Sequence, residues 1–261
     1  MDKEKKTGYC AGIDLGSCFV KAVLMKGKAV IDSHISPMIG RYESIAEEVL
    51  KEVLAKTGLS IEALDWVTIT GYGKHNLPFP HRKVSPLSAN AKGINFLFPK
   101  VRTVIDMGMQ QSSVVRLDAE GDVLDNVVTE KCAAGSGWLL KVVARVMGVN
   151  LEDLGLLSLN AQRIVNITTD CAVFAETEVI SRISEGIPKE DILAGVHKAL
   201  ALTIFSLVQR VGLEEECALI GGGGKDIGLV KSLVETMGIE IKIPEEPQLT
   251  TACGAILFHR S

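Results

Sequence analysis

Residues 10–25, CAGIDLGSCFVKAVLM, and residues 101–117, VRTVIDMGMQQSSVVRL, decide how this chain folds. In each, an apolar run of strand character reaches an Asp, one more apolar residue and a Gly, and a second apolar run follows after a few small or polar residues. Asp14 and Asp106 therefore stand at equivalent strand ends. Working outward from the first stretch, strands are predicted at 10–15, 19–25 and 29–35, with Lys26-Gly27-Lys28 as the second turn. A helix over about 44–56 carries Ile45, Val49 and Val53 on one stripe, and a short strand at 66–70 runs into the turn TGYGK. Outward from the second stretch come strands at 101–105, 113–117 and 123–128, the last two joined by Glu120-Gly121-Asp122. An internally duplicated β-β-β-α unit is the economical explanation.

The remainder is helical until one more strand. A helix is predicted at 139–147, and a longer one at 192–211 with Leu193, Val196, Leu200, Ile204, Leu207 and Val211 in steps of three and four. An apolar strand at 218–220 breaks at the four glycines 221–224, and a helix starts near Asp226. Alternating strands and helices predict an α/β fold of two similar lobes with a cleft between them. The expected boundaries are 1–98 and 99–248, with a C-terminal helix at 249–261 packing back on the first lobe.

Composition excludes several classes. The 261 residues include 47% apolar and 23% charged side chains, with 28 Lys+Arg against 32 Asp+Glu, which leaves a net charge of −4. That balance supports a proper core and excludes dominant disorder or a disulfide-stapled miniprotein. A mild negative charge without clustered Lys or Arg speaks against a nucleic-acid surface. No apolar run approaches the ~18–20 residues of a membrane span, and no signal-peptide h-region follows the charged start, so a cytoplasmic protein is expected. The six cysteines contain no CxxC pair. Cys10, Cys217 and Cys253 read as small buried hydrophobes, whereas Cys132 and Cys171 each open a polar, turn-like stretch before a helix. His197, within the long helix, reads as a packed or surface residue.

Three Gly-rich turns each follow a strand, at 14–17, 106–108 and 221–224. Glycine lets a ligand approach the backbone, and successive amides at a turn form an anion-binding nest. Asp14 and Asp106 are suited to a hydrated Mg²⁺, which takes oxygen ligands and keeps most of its waters. Together these features point to a bound nucleotide. Lys225 follows Gly224 but Asp226 follows it, so no P-loop is present, and neither G-x-G-x-x-G nor HExxH occurs.

GIDLGSCFVK, VIDMG and LIGGGGKD resemble the two phosphate motifs and the adenosine motif of the acetate kinase–sugar kinase–Hsp70–actin superfamily. Within it, KCAAGSG at 131–137, CAVFAETEVIS at 171–181, TGYGK at 70–74 and the closing CGAI at 253–256 resemble the BadF/BadG/BcrA/BcrD-type ATPases. That family includes activators of 2-hydroxyacyl-CoA dehydratases, benzoyl-CoA reductase ATPase subunits and reductases of double-cubane cluster proteins. The resemblance covers nearly the whole chain. It implies two ribonuclease H-like lobes of the actin/hexokinase/Hsp70 type around a nucleotide cleft. It also implies an ATP-hydrolysing homodimer with one shared [4Fe–4S] cluster, since a cubane takes four thiolates and Cys132 and Cys171 supply two per chain. Helix N-termini behind these cysteines would stabilise the thiolates. Ferredoxin or flavodoxin would be the electron donor and an iron–sulfur enzyme the acceptor, with ATP turnover changing the angle between lobes.

Carried over residue by residue, the resemblance assigns Asp14 and Asp106 to catalysis and Mg²⁺. It assigns Gly16, Ser17, Lys21, Gly108, Gln110, Gly222 and Gly223 to ATP or ADP, and Cys132 and Cys171 to the cluster. The chain departs from the pattern where D-I-G-G-Q-D becomes Asp106-Met107-Gly108-Met109-Gln110-Gln111, where Ser-Thr becomes Ser17-Cys18, and at Gly223, Gly224 and Asp226. Met109 crowds the backbone and Gln111 lacks a charge, so slow intrinsic hydrolysis is expected, faster in Met109→Gly with Gln111→Asp. The CAAGSG form leans toward benzoyl-CoA reductase-type subunits. A cluster-free metabolite kinase is the rival class but lacks a clear carboxylate base outside the Mg²⁺ pair. For an Hsp70-type binding protein, the appended substrate-binding domain is missing from this sequence.

Overall fold

A computed structural model of the chain describes residues 7–73, 77–129, 135–167, 172–214 and 216–258. Two compact units divide it. One comprises Met1–Pro99, Glu120–Asp122 and Gln248–Ser261, the other Lys100–Ala119 and Val123–Pro247. In chain order the first contains β1 (Tyr9–Leu15), β2 (Phe19–Lys26), β3 (Ala29–Pro37), α1 (Tyr42–Ala55), β4 (Trp66–Gly71), β5 (Arg82–Lys83) and α2 (Pro86–Leu97). The second contains β6 (Thr103–Met107), β7 (Ser112–Leu117), β8 (Val123–Val128), α3 (Gly137–Met147), α4 (Leu154–Ser158), α5 (Ala172–Ser184), α6 (Lys189–Val211), β9 (Cys217–Ile220), α7 (Ile227–Met237) and β10 (Ile241–Lys242). The chain returns to the first unit with α8 (Thr250–Phe258).

Each unit is built on one five-stranded sheet, in the order β3-β2-β1-β4-β5 and β8-β7-β6-β9-β10. In both, the first three strands form an antiparallel meander and the last two join in parallel. The two sheets therefore share one topology, and the duplication read from the two Asp-Gly turns extends to every strand. β6 runs 103–107, shifted two residues past the predicted range, because its ladder with β9 pairs Thr103 with Cys217 and Asp106 with Ile220.

Strand parity explains where Asp14 faces. Ala11, Ile13 and Leu15 pack with Val49, Leu50 and Val53 of α1, whereas Cys10 packs with Ala252, Cys253 and Ile256 of α8. Successive side chains alternate across a sheet, so Gly12 and Asp14 share the α8 face. A Cβ on Gly12 would run into the Ala252 carbonyl, which makes glycine the condition for this helix lying so close. Helix α2 was not foreseen, although Ser85 and Pro86 carry the signal: Ser85 Oγ accepts the Ser88 amide at 3.1 Å and Pro86 opens the helix.

The core of the second unit centres on α6, whose six predicted stripe residues are all buried. By length and composition α6 is apolar enough to cross a membrane, but 67% of its most apolar window is buried within the protein. Cys10, Cys217 and Cys253 are buried thiols and Cys18 is half-buried. Burial pushes the Cys217 thiol up to about 12, which keeps it protonated and inert. Cys132 and Cys171 lie outside the described residues.

Candidate functional site: two strand-end turns and a glycine run

The tight β1–β2 turn sets the first half of the site. It places Lys21 directly opposite Asp14 in the antiparallel register, and the Lys21 ammonium lies 2.7 Å from Asp14 Oδ2. Gly16 and Ser17 form the turn between them, half-buried. Tyr42, from α1, donates its hydroxyl to the Gly16 carbonyl at 3.2 Å. Burial, with the Asp14 charge adding to it, pushes that phenol above its ordinary value, so it stays protonated and can donate. The end of β4 clasps the same turn, with the Tyr72 amide donating to the Leu15 carbonyl at 3.0 Å. In the β1–β4 ladder Thr70 pairs with Asp14, and its hydroxyl is buried without a hydrogen-bond partner.

The second half is the β6–β7 turn with the glycine run. Asp106 stands one residue before the end of β6, beside Ile220 of β9. The Gly108 amide donates to the Gln111 carbonyl at 3.0 Å, which makes 108–111 a tight turn with Gln110 at its exposed tip. The first amides of α3, from Gly137 and Trp138, donate to the carbonyls of Gly108 and Met109 at 3.0 and 2.8 Å. The Gln111 amide reaches the Thr129 carbonyl at 3.3 Å. Turn and helix start are thus one hydrogen-bonded body. Gly221, at φ 78°, meets this turn where a Cβ would stand 2.6 Å from Asp106 Oδ1, and Gly223 lies against Met107. Gly222 sits exposed between them.

The structure therefore gathers Asp14, Gly16, Ser17 and Lys21 in the first unit, and Asp106, Gly108, Gln110, Gly222 and Gly223 in the second. Two participants escaped the sequence reading. Tyr42 and Thr70 come from elements whose approach to the turn is tertiary, although TGYGK did mark the end of β4. The donor set suits a hydrated Mg²⁺: a carboxylate oxygen already pairs with a cation, and an orphaned hydroxyl shares its sheet face. Among the described residues no three His, Cys, Asp or Glu side chains converge on one point. A cavity of about 120 Å³ lined by Ser158, Gln162, Arg163 and Lys231 lies on the second unit, below the ~300 Å³ at which small-ligand sites begin.

The same five-stranded unit occurs twice in the chain, each time with an Asp-x-Gly at the end of its first strand, and this duplicated α/β architecture is shared with kinase-like proteins of known structure. A ROK-family glucokinase from Streptomyces griseus shares that fold alone, at 12% identity and TM-score 0.58 over 95% of this chain and 98% of its own. The chain belongs to the BadF/BadG/BcrA/BcrD ATPase family, whose sequence profile matches residues 11–259. The activator of the 2-hydroxyisocaproyl-CoA dehydratase from Clostridium difficile, solved with bound ADPNP, is 39% identical, with TM-score 0.91 over 97% of this chain and 95% of its own. Component A of the Acidaminococcus fermentans (R)-2-hydroxyglutaryl-CoA dehydratase is 34% identical, with TM-score 0.92 over 97% and 98%. A benzoyl-CoA reductase subunit of Thauera aromatica is 33% identical over 87% of this chain and 82% of its own.

Proposed function

We propose that this protein is an ATP-dependent activator that delivers a low-potential electron to a partner iron–sulfur enzyme of the 2-hydroxyacyl-CoA dehydratase type. The observation that carries the reading is 39% identity to the 2-hydroxyisocaproyl-CoA dehydratase activator across 96% of this chain and 94% of that protein. Asp14 and Asp106 orient hydrated Mg²⁺. Gly16, Ser17, Gly108 and Gln110 serve the phosphates, and Gly222 and Gly223 admit the adenosine. Lys21 neutralises Asp14 in this structure; a Mg²⁺ held by Asp14 would take over that charge and would leave the Lys21 ammonium available to the phosphates. The metal, when bound, supplies neutralisation of charge developing on the transferred phosphoryl group.

Cys132 and Cys171 hold a [4Fe–4S] cluster shared by two copies of the chain, reduced by ferredoxin or flavodoxin in the cytoplasm. The cluster would supply one-electron chemistry; the chain's part would be to supply two thiolates from the segments that lead into α3 and α5. Supporting this, Cys171 stands one residue before α5 and Cys132 five before α3. Phe174 of α5 and Trp138 of α3 are large apolar side chains left 69% and 42% exposed, as suits a face that meets a second copy. A benzoyl-CoA reductase-type subunit is the second reading, favoured by the CAAGSG form around Cys132.

Anaerobic purification tests the first reading. The protein is expected to be brown with about four iron atoms per dimer. Cys132→Ala or Cys171→Ala is expected to abolish the iron while nucleotide binding persists. Full iron content in either variant refutes the ligand assignment.

A further inference from the structure

The second unit buries a polar chain that nothing above uses. His197, on the apolar face of α6, has no solvent exposure. Its Nε2 lies 3.0 Å from Asp226 Oδ2 and its Nδ1 lies 3.0 Å from Ser158 Oγ. The Ser158 hydroxyl is itself 2.8 Å from the Gly155 carbonyl. A carboxylate only accepts, so the ring proton nearest Asp226 must reside on Nε2. Asp226 Oδ1 meanwhile caps α7, accepting the amides of Gly228 and Leu229 at 3.0 Å each. The Asp226 amide donates to the Gly223 carbonyl at 3.2 Å. One residue thus closes the glycine run with its backbone and starts the next helix with its side chain, while His197 holds the remaining oxygen.

The surroundings are shaped for this contact. A Cβ on Gly228 would collide with Ser158 Oγ and stand 2.7 Å from His197 Nδ1, and one on Gly155 would stand 2.7 Å from Asp226 Oδ1. Two glycines therefore let α4, α6 and α7 converge on an imidazole that apolar packing alone would not select. Ser158 and Asp226 lie 39 and 29 positions from His197.

We propose that His197 is a positioning residue for the adenosine end of the nucleotide site, acting through Asp226 on the turn 221–224. This rests on the reading of that turn as the adenosine motif. With Nε2 on Oδ2, the carboxylate cannot rotate, so the helix cap and the Gly223 carbonyl stay in one orientation. Without it, Oδ2 is a buried acceptor lacking its partner, and the turn loses its reference.

Calorimetry with Mg²⁺-ADP and with Mg²⁺-pyrophosphate tests the assignment, because pyrophosphate engages only the phosphate turns. His197→Leu is expected to weaken ADP about tenfold and leave pyrophosphate unchanged, and His197→Gln, which keeps a donor near Nε2, to recover most of the loss. Asp226→Asn guards against a folding defect in His197→Leu. It retains the Oδ1 cap but sets an amide against the Nε2 proton, and is expected to show the same ADP-only loss. Equal weakening of both ligands, or of neither, overturns the proposal while leaving the nucleotide reading intact. A parental protein that binds neither ligand overturns both.

Discussion

Asp14 is 8% exposed and carries a cation before any metal arrives, which separates two roles that a carboxylate at this place can have. If it chiefly bound nucleotide, removing its charge would weaken ADP. If it orients hydrated Mg²⁺ against developing phosphoryl charge, the loss falls on turnover. Asp14→Asn is therefore expected to reduce ATP hydrolysis about 10²–10³-fold, while ADP affinity changes only a few-fold. Steady-state ATPase and calorimetry on one preparation check it, and hydrolysis at the parental rate would remove the metal from Asp14. The Asp14–Lys21 pairing was legible once the β1–β2 turn was drawn, since a tight hairpin dictates which residues face. The partners of His197 were not. Helical spacing shows only that residue 197 points inward, and says nothing of what meets it.

At the scale of elements, the β6–β7 turn and α3 are one body. Gln111, where the sequence resemblance leads one to expect a carboxylate, gives its side-chain amide to the Thr129 carbonyl, a contact an Asp cannot make because it has no donor at neutral pH. The sequence pattern alone expects Met109→Gly and Gln111→Asp to raise turnover together; the geometry separates them. Met109→Gly is expected to speed partner-free hydrolysis by relieving crowding beside Gly108. Gln111→Asp is expected to cost about 1 kcal/mol, near 2–4 °C in melting temperature, by leaving Thr129 short of a donor. ATPase rates and melts of the two single variants decide it. An unchanged rate in Met109→Gly would mean that the side chain at this position does not limit hydrolysis. The two-residue strands β5 and β10 were missed because two residues carry no periodicity to read.

For the whole molecule, carboxyls held below their ordinary value lie in both units, Asp32 and Glu62 in the first and Asp191 and Asp226 in the second, and the second unit's pair is the more deeply buried. Burial pushes Asp226 upward, but the His197 hydrogen bond and charge, with the Leu229 and Gly228 amides, outweigh it and hold the carboxyl below its ordinary value. Burial is likewise overcome at Asp191 by the amides of Gln162 and Arg163 and the Arg163 guanidinium. A depressed folded value contributes stability above the unfolded value near pH 4, and that stability is lost as pH falls through the folded value. Melting temperature is thus expected to drop as pH is lowered below about 4. Asp191→Asn and Asp226→Asn are each expected to flatten that acid limb, and parallel limbs in the variants and the parental protein would deny both carboxylates the role.

What the sequence by itself determined was everything that repeats or alternates. The two strand–Asp–Gly ends, the meander after each, the stripe of α6 and the run of glycines are local patterns, because burial of one face imposes a period on the chain. The family motifs around Cys132 and Cys171 were equally plain. Only the tertiary structure decided which groups far apart in the chain share a hydrogen bond. Tyr42 reaches Gly16, Gln111 holds Thr129, and Ser158, His197 and Asp226 join three helices. Such contacts leave no period behind, since each depends on how whole elements pack rather than on any spacing along one of them.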